Sequence, residues 1–75
     1  MTDFGTGYIV QRDDGKSLAG CGYRNGKAYP YWTDWREDIQ VFKTERGAIS
    51  SASRHGGHVE RVALDYYGNP DIVMR

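Results

Sequence analysis

The chain predicts an α+β fold, a small antiparallel sheet of three to five strands with one α-helix packed on one face, in the order β-β-β-α-β. Three observations carry that expectation. Two turn signatures, Asp13-Asp14-Gly15-Lys16 and Arg24-Asn25-Gly26-Lys27, separate three strand-like segments. A full set of helix signals occupies Phe42–Val59. Beyond it, Val62, Leu64 and Tyr66 alternate with Arg61, Ala63 and Asp65, the period-2 pattern of a strand with one face inward.

Taken in order, Tyr8–Arg12 is the first strand, and Gly15 in the turn after it accepts positive φ. The second arm, Ser17–Tyr23, is interrupted by Gly20 and Gly22, which signal a bulge or the close approach of another backbone. Asn25-Gly26 is the strongest short-range hairpin signal, because a type I′ turn needs positive φ at both central residues. Ala28–Thr33 is then the third strand, pushed toward a sheet edge by Pro30. Trp35–Asp38 is expected to make one helical turn capped by Thr33 or Asp34, with Ile39–Phe42 returning to extended structure.

Thr44 can cap the helix Glu45–His55. Glu45 in the first turn, and Arg54 and His55 in the last, complement the helix dipole, and Gly56-Gly57 ends it. Ala48, Ile49 and Ala52 are expected on its sheet-facing side. At about 11 residues it is marginal alone and needs the sheet to hold it. His58–Tyr66 is the following strand, Gly68-Asn69-Pro70-Asp71 a turn, and Ile72–Met74 a last short strand or frayed tail.

The 75 residues are expected to form one domain with flexible ends at 1–7 and 68–75. Aliphatic mass is small. Ten aromatics, Phe4, Tyr8, Tyr23, Tyr29, Tyr31, Trp32, Trp35, Phe42, Tyr66 and Tyr67, must supply much of the core. Ten Lys/Arg balance ten Asp/Glu, so no global field drives nucleic-acid or membrane binding. Cys21 is the single cysteine, which excludes an intramolecular disulfide and points to a reducing, cytoplasmic setting. No apolar run reaches the ~20 residues needed to span a bilayer.

Tyr29-Pro30-Tyr31-Trp32-Thr33-Asp34-Trp35-Arg36 is the densest aromatic run. Alternation along a strand puts Trp32 on the face opposite Tyr29 and Tyr31, so at least one large ring is expected to remain exposed near Trp35 and Arg36. Trp, Tyr and Arg are the residue types enriched at binding hot spots. The expected partner-binding surface is therefore Tyr29, Tyr31, Trp32 and Trp35, with Asp34, Arg36, Glu37 and Asp38 as a mixed-charge rim. The competing structural use of these rings is to fill a core poor in aliphatics.

Other constellations point to ordinary roles. His55 and His58 stand three apart across a helix terminus with two glycines between them, which is not a fixed metal-binding pair, and no metal or cofactor is expected. A thiol-imidazole dyad of Cys21 with either histidine has no local support. Gly5-Thr6-Gly7 and Gly15-Lys16-Ser17 lack the spacing and following helix of a phosphate loop. Asp13-Asp14 and Glu37-Asp38 fall in turns.

Tyr8-Ile9-Val10, the glycine turn, Val41-Phe42-Lys43-Thr44, Gly47-Ala48 through Ala52, and Gly56-Gly57-His58-Val59 together resemble small orphan proteins encoded by tailed phages and prophages. That resemblance covers about 50 residues at the level of pattern. It implies a protein that binds and blocks a bacterial host or defence factor, as anti-CRISPR proteins and phage inhibitors of RNA polymerase do. In outline the strand–strand–helix rhythm is also similar to the hybrid-binding domain of some ribonucleases H, whose aromatic and basic positions have no counterparts here.

The expectation is thus a cytoplasmic, non-enzymatic protein-binding domain acting by steric occlusion. The alternative is a single-stranded nucleic-acid-binding module that uses exposed sheet aromatics beside Arg24, Lys27 and Arg36. A homodimer joined at an edge strand or aromatic patch is compatible with either.

Overall fold

The computed structural model describes residues 5–71. It is an α+β fold whose four-stranded antiparallel sheet has the order β3-β2-β1-β4. The strands are β1 (Thr6–Gln11), β2 (Ser17–Arg24), β3 (Lys27–Thr33) and β4 (His58–Ala63), and α1 (Glu45–His55) precedes β4. Residues 1–4 and 72–75, and with them the expected terminal strand Ile72–Met74, lie outside the described residues.

Both early turns form as their residues dictate. In the first, Lys16 and Arg12 close the loop through Arg12 N–H to Lys16 O at 2.7 Å, and the Asp14 carboxylate accepts the Lys16 N–H at 3.1 Å. In the second, Asn25 (φ 53°) and Gly26 (φ 78°) supply the two positive φ values that a two-residue type I′ turn requires. Thr44 caps α1, its hydroxyl accepting the Gly47 N–H at 3.2 Å.

β1 and β4 pair along their whole length, from Thr6↔Ala63 to Gln11↔His58, so Thr6 and Gly7 belong to the sheet. β1 and β2 instead meet at one pair only, Gln11↔Ser17, next to their turn. Beyond it they diverge, and the segment leading to α1 bridges them. Tyr8 and Phe42 exchange backbone hydrogen bonds at 2.9 and 2.8 Å, while the Gln40 N–H donates to Leu18 O at 2.9 Å. The extended run expected at Ile39–Phe42 is present as this bridge.

Side chains pack on both faces of the sheet. On the helix side, Val10, Leu18 and Ala48 are fully buried, with Tyr8, Trp32, Phe42, Ala52 and Val59 against them. On the other side Ile9, Val62 and Ile39 are buried under Val41 and Leu64. Neither layer is large, which follows from the scarcity of Leu, Ile and Val. Pro70 is also fully buried, and it bridges Leu64.

Three local expectations are corrected. Ile49 is 51% exposed, because a residue about 100° round the helix from Ala48 cannot share the narrow contact that Ala48 and Ala52 make with the sheet. β4 ends at Ala63 rather than Tyr66: the Asp65 carboxylate accepts the N–H groups of Tyr67 and Asn69 and folds the chain into a turn, leaving Tyr66 exposed. The helical turn after β3 is a single 3-10 turn, Arg36–Asp38, with no side-chain cap. The Thr33 hydroxyl accepts the N–H of Trp35 instead.

Candidate binding surface

The divergence of β1 and β2 creates the surface of interest. Past Leu18, the described partner of β2 is β3 alone, and α1 packs on β1 and β4. Residues 20–31 therefore form a two-stranded arm that the helix does not cover.

Register places its side chains. Gly22 opposes Tyr29, Gly20 opposes Tyr31 and Arg24 opposes Lys27, so Arg24, Lys27, Tyr29 and Tyr31 share one face. Trp32, the next residue, packs with Leu18 and Ala48 in the helix-side layer, so the Tyr29–Tyr31 face is the one opposite the helix. The slip between Leu18 and Gly20, a bulge, lets β2 keep Leu18 in that layer while the two glycines lie beneath the tyrosines.

The face is a continuous contact series. Tyr29 and Tyr31 meet edge to face with centroids 5.2 Å apart, and their hydroxyls are 2.8 Å apart. The Arg24 guanidinium lies 5.7 Å from the Tyr29 centroid. Tyr31 reaches across Gly22: a Cβ there would stand 2.8 Å from the Tyr31 Oη, so the ring's position depends on the missing side chain. The hydrogen bond with Tyr31 is the main reason that the Tyr29 phenol is held above its ordinary pKa of 10. An open depression of about 540 Å³, lined by Arg24, Asn25, Lys27, Ala28 and Tyr29, lies beside this series at the arm's end.

The expected site residues divide into three groups. Tyr29 and Tyr31 are on the arm. Trp32 is half-buried in the helix-side layer with the Arg12 guanidinium 4.8 Å above its ring, so its main contacts are with the core and with Arg12. Asp34, Trp35, Arg36, Glu37 and Asp38 are all exposed where β3 ends, and Trp35 is 67% exposed. Asp34 is held there by Lys16, whose Nζ is 2.9 Å from its carboxylate.

Arg12 acts from the first turn. It grips Asp14 through Nε and Nη2 while covering Trp32, and its hydrogen bond, followed by that from the Lys16 N–H, holds the Asp14 carboxyl below its ordinary pKa. His58 stands 3.1 Å from Glu60 and 4.0 Å from Asp13 at the rim of a second open depression, of about 500 Å³. Cys21 is exposed on the arm, whereas His58 lies on β4 opposite Gln11 and His55 ends α1.

Arg24 and Lys27 entered the sequence reading only through the nucleic-acid alternative, and Tyr23 entered neither surface. The signal was local charge. The chain is neutral overall, yet no Asp or Glu occurs between Asp14 and Asp34, while Lys16, Arg24 and Lys27 do. A whole-chain balance averages that segregation away.

Comparison of the chain with protein-family models, with curated proteins and with solved structures gave no match. Among the described residues, no helix is long and apolar enough to cross a membrane.

Proposed function

We propose that the protein is a non-enzymatic, cytoplasmic binding domain that acts by occupying the surface of another protein. The observation that supports this reading is the set of large rings left uncovered along and just beyond β3: Tyr31 at 51%, Trp35 at 67% and, on the paired strand, Tyr23 at 74% exposed. In a chain with so few apolar residues for its core, rings of this size outside the core are the residue types that anchor protein interfaces. Trp35 is the principal anchor. Its backbone is fixed by the Thr33 hydroxyl, and Asp34, Arg36, Glu37 and Asp38 provide charges of both signs around it, which favours register and partner choice over raw affinity.

The projecting arm suits steric occlusion, since it reaches beyond the body of the domain without being needed to cover the helix. A bacterial host or defence protein is the target class implied by the resemblance to small phage-encoded proteins. Edge-to-edge pairing of two copies through β3 is disfavoured. The closing pair Arg24↔Lys27 puts the backbone groups of Ala28, Pro30 and Trp32 on the outer edge, and Pro30 has no N–H to give there.

The test is capture of partners from a nuclease-treated bacterial lysate by the immobilised protein. One stoichiometric protein, retained by the wild type and lost on Trp35→Ala/Arg36→Ala with the circular dichroism spectrum unchanged, is expected. Undiminished capture by that variant refutes the surface.

A further inference from the structure

We infer that the arm's face opposite the helix is a binding platform for single-stranded nucleic acid, with Tyr29 and Tyr31 as stacking surfaces and Arg24 and Lys27 as phosphate contacts. This goes beyond the protein-binding reading and does not depend on it: Tyr31 is common to both, but Trp35, the principal anchor of that reading, takes no part here. Three features converge on the arm.

The first is charge. Within residues 15–33 the cations are Lys16, Arg24 and Lys27 and there is no carboxylate; Lys16 is already paired with Asp34. Arg24 and Lys27 sit directly opposite each other on the same face as the two tyrosines. An anion approaching this face meets two cations and no competing acidic side chain from either strand, whereas the neutral whole chain has no such bias.

The second is ring presentation. Gly20 and Gly22 stand opposite the tyrosines, and Tyr31 lies across Gly22 where any side chain would displace it. The glycines thus place no β2 side chain directly opposite either ring, and the Arg24 guanidinium lies 5.7 Å from the Tyr29 centroid. Stacking on such rings accepts any base, because every base has a π-face. A protein carboxylate would use the two cations without stacking on a ring, whereas each base beside a phosphate can stack on one, and that difference favours nucleic acid over an acidic protein surface.

The third is access. The helix lies on β1 and β4, the face is on the opposite side of the sheet, and the open depression of about 540 Å³ adjoins Tyr29, Arg24 and Lys27. A strand running along the arm can place bases on Tyr29 and Tyr31 while its phosphates pass Arg24 and Lys27.

The experiment is fluorescence anisotropy of a fluorescein-labelled oligothymidylate of about 12 nucleotides, within the range of site sizes of small sheet-based binders. Two phosphate contacts on a single strand predict a log–log salt slope of about −1.4, so that affinity falls about sevenfold between roughly 50 and 200 mM salt. Lys27→Gln is expected to halve that slope. Tyr29→Leu and Tyr31→Leu are each expected to weaken binding by about fivefold or more with the slope retained. Arg61→Gln, an exposed cation on β4, is expected to change nothing.

Absence of saturable binding up to about 100 μM at low salt, the weak end of non-specific affinities, overturns the proposal. So does binding that both leucine variants leave intact, and so does equal displacement by a poly-glutamate peptide at matched charge, which would assign the arm to an acidic protein instead. Circular dichroism of each variant separates lost binding from lost folding.

Discussion

Gly7→Ala is the sharpest probe of how the arm is set apart from the body. The segment 40–42 joins β1 to β2 by crossing directly over Gly7: a Cβ on that residue would collide with Val41 Cγ1 and stand 3.4 Å from Leu64 Cδ2 and 3.5 Å from Phe42 O. Val41 is β-branched and stiff, and its neighbours are tied to Tyr8 and Leu18 by backbone hydrogen bonds, so it cannot swing away cheaply. Inserting a methyl group into a packed contact of this kind costs about 1–3 kcal/mol. Taking about 2 kcal/mol for a chain of this size, the melting temperature falls by roughly 8–16 °C.

The clash has one main partner, which makes it testable by a cycle. Val41→Ala removes half-buried methyl groups and is expected to cost about 1 kcal/mol by area loss. It also opens the space that a methyl group on residue 7 would need. The double variant should then lose about 1 kcal/mol, not the sum of about 3, giving a coupling of about 2 kcal/mol measured by urea unfolding of all four proteins. Additive losses, or a Gly7→Ala variant within about 0.5 kcal/mol of wild type, would refute the close approach of this bridge to β1.

Two further outcomes follow from polar groups near the first turn. The Ser17 Oγ is fully buried with no hydrogen-bond partner among the described residues, so Ser17→Ala is expected to stabilise the fold by about 1 kcal/mol in the same urea assay; a loss would mean that the hydroxyl is bonded in solution. The Asp14 carboxyl is held below its ordinary value of 3.8 by Arg12 and the Lys16 N–H, and a depressed folded-state pKa gives stability that is present above that value and lost as pH falls through the lower one. Asp14→Asn should therefore flatten the decline in the urea midpoint on acidification below about pH 4, and an unchanged acid limb would remove Asp14 as a contributor.

The difference between what was legible and what was not has a physical basis that particular residues show. Asn25-Gly26 specifies its turn because two positive φ values are a property of those residues alone. Thr44 specifies the start of α1 in the same local way, and the helix spans Glu45–His55 as its caps predict. The rings along and beyond β3 are visible in the sequence, but their separate degrees of burial are not. Trp32 and Trp35 differ by three positions and share a composition-level case for exposure, yet one is half-buried beneath Arg12, 20 positions earlier in the chain, and the other is open to solvent.

The sequence by itself determined the fold class, both early turns and the helix limits, whereas the expected aromatic core is instead aliphatic among the described residues, with Tyr8, Trp32 and Phe42 half-buried at its margin. Tertiary structure alone decided that β1 and β2 part after one pair, that 40–42 fills the gap, and that the helix settles on β1 and β4 and leaves an arm free. Turn and cap preferences are satisfied within a few adjacent residues, whereas the arm depends on hydrogen bonds from Phe42 to Tyr8 and from Gln40 to Leu18, partners more than 20 positions apart whose meeting no local pattern encodes.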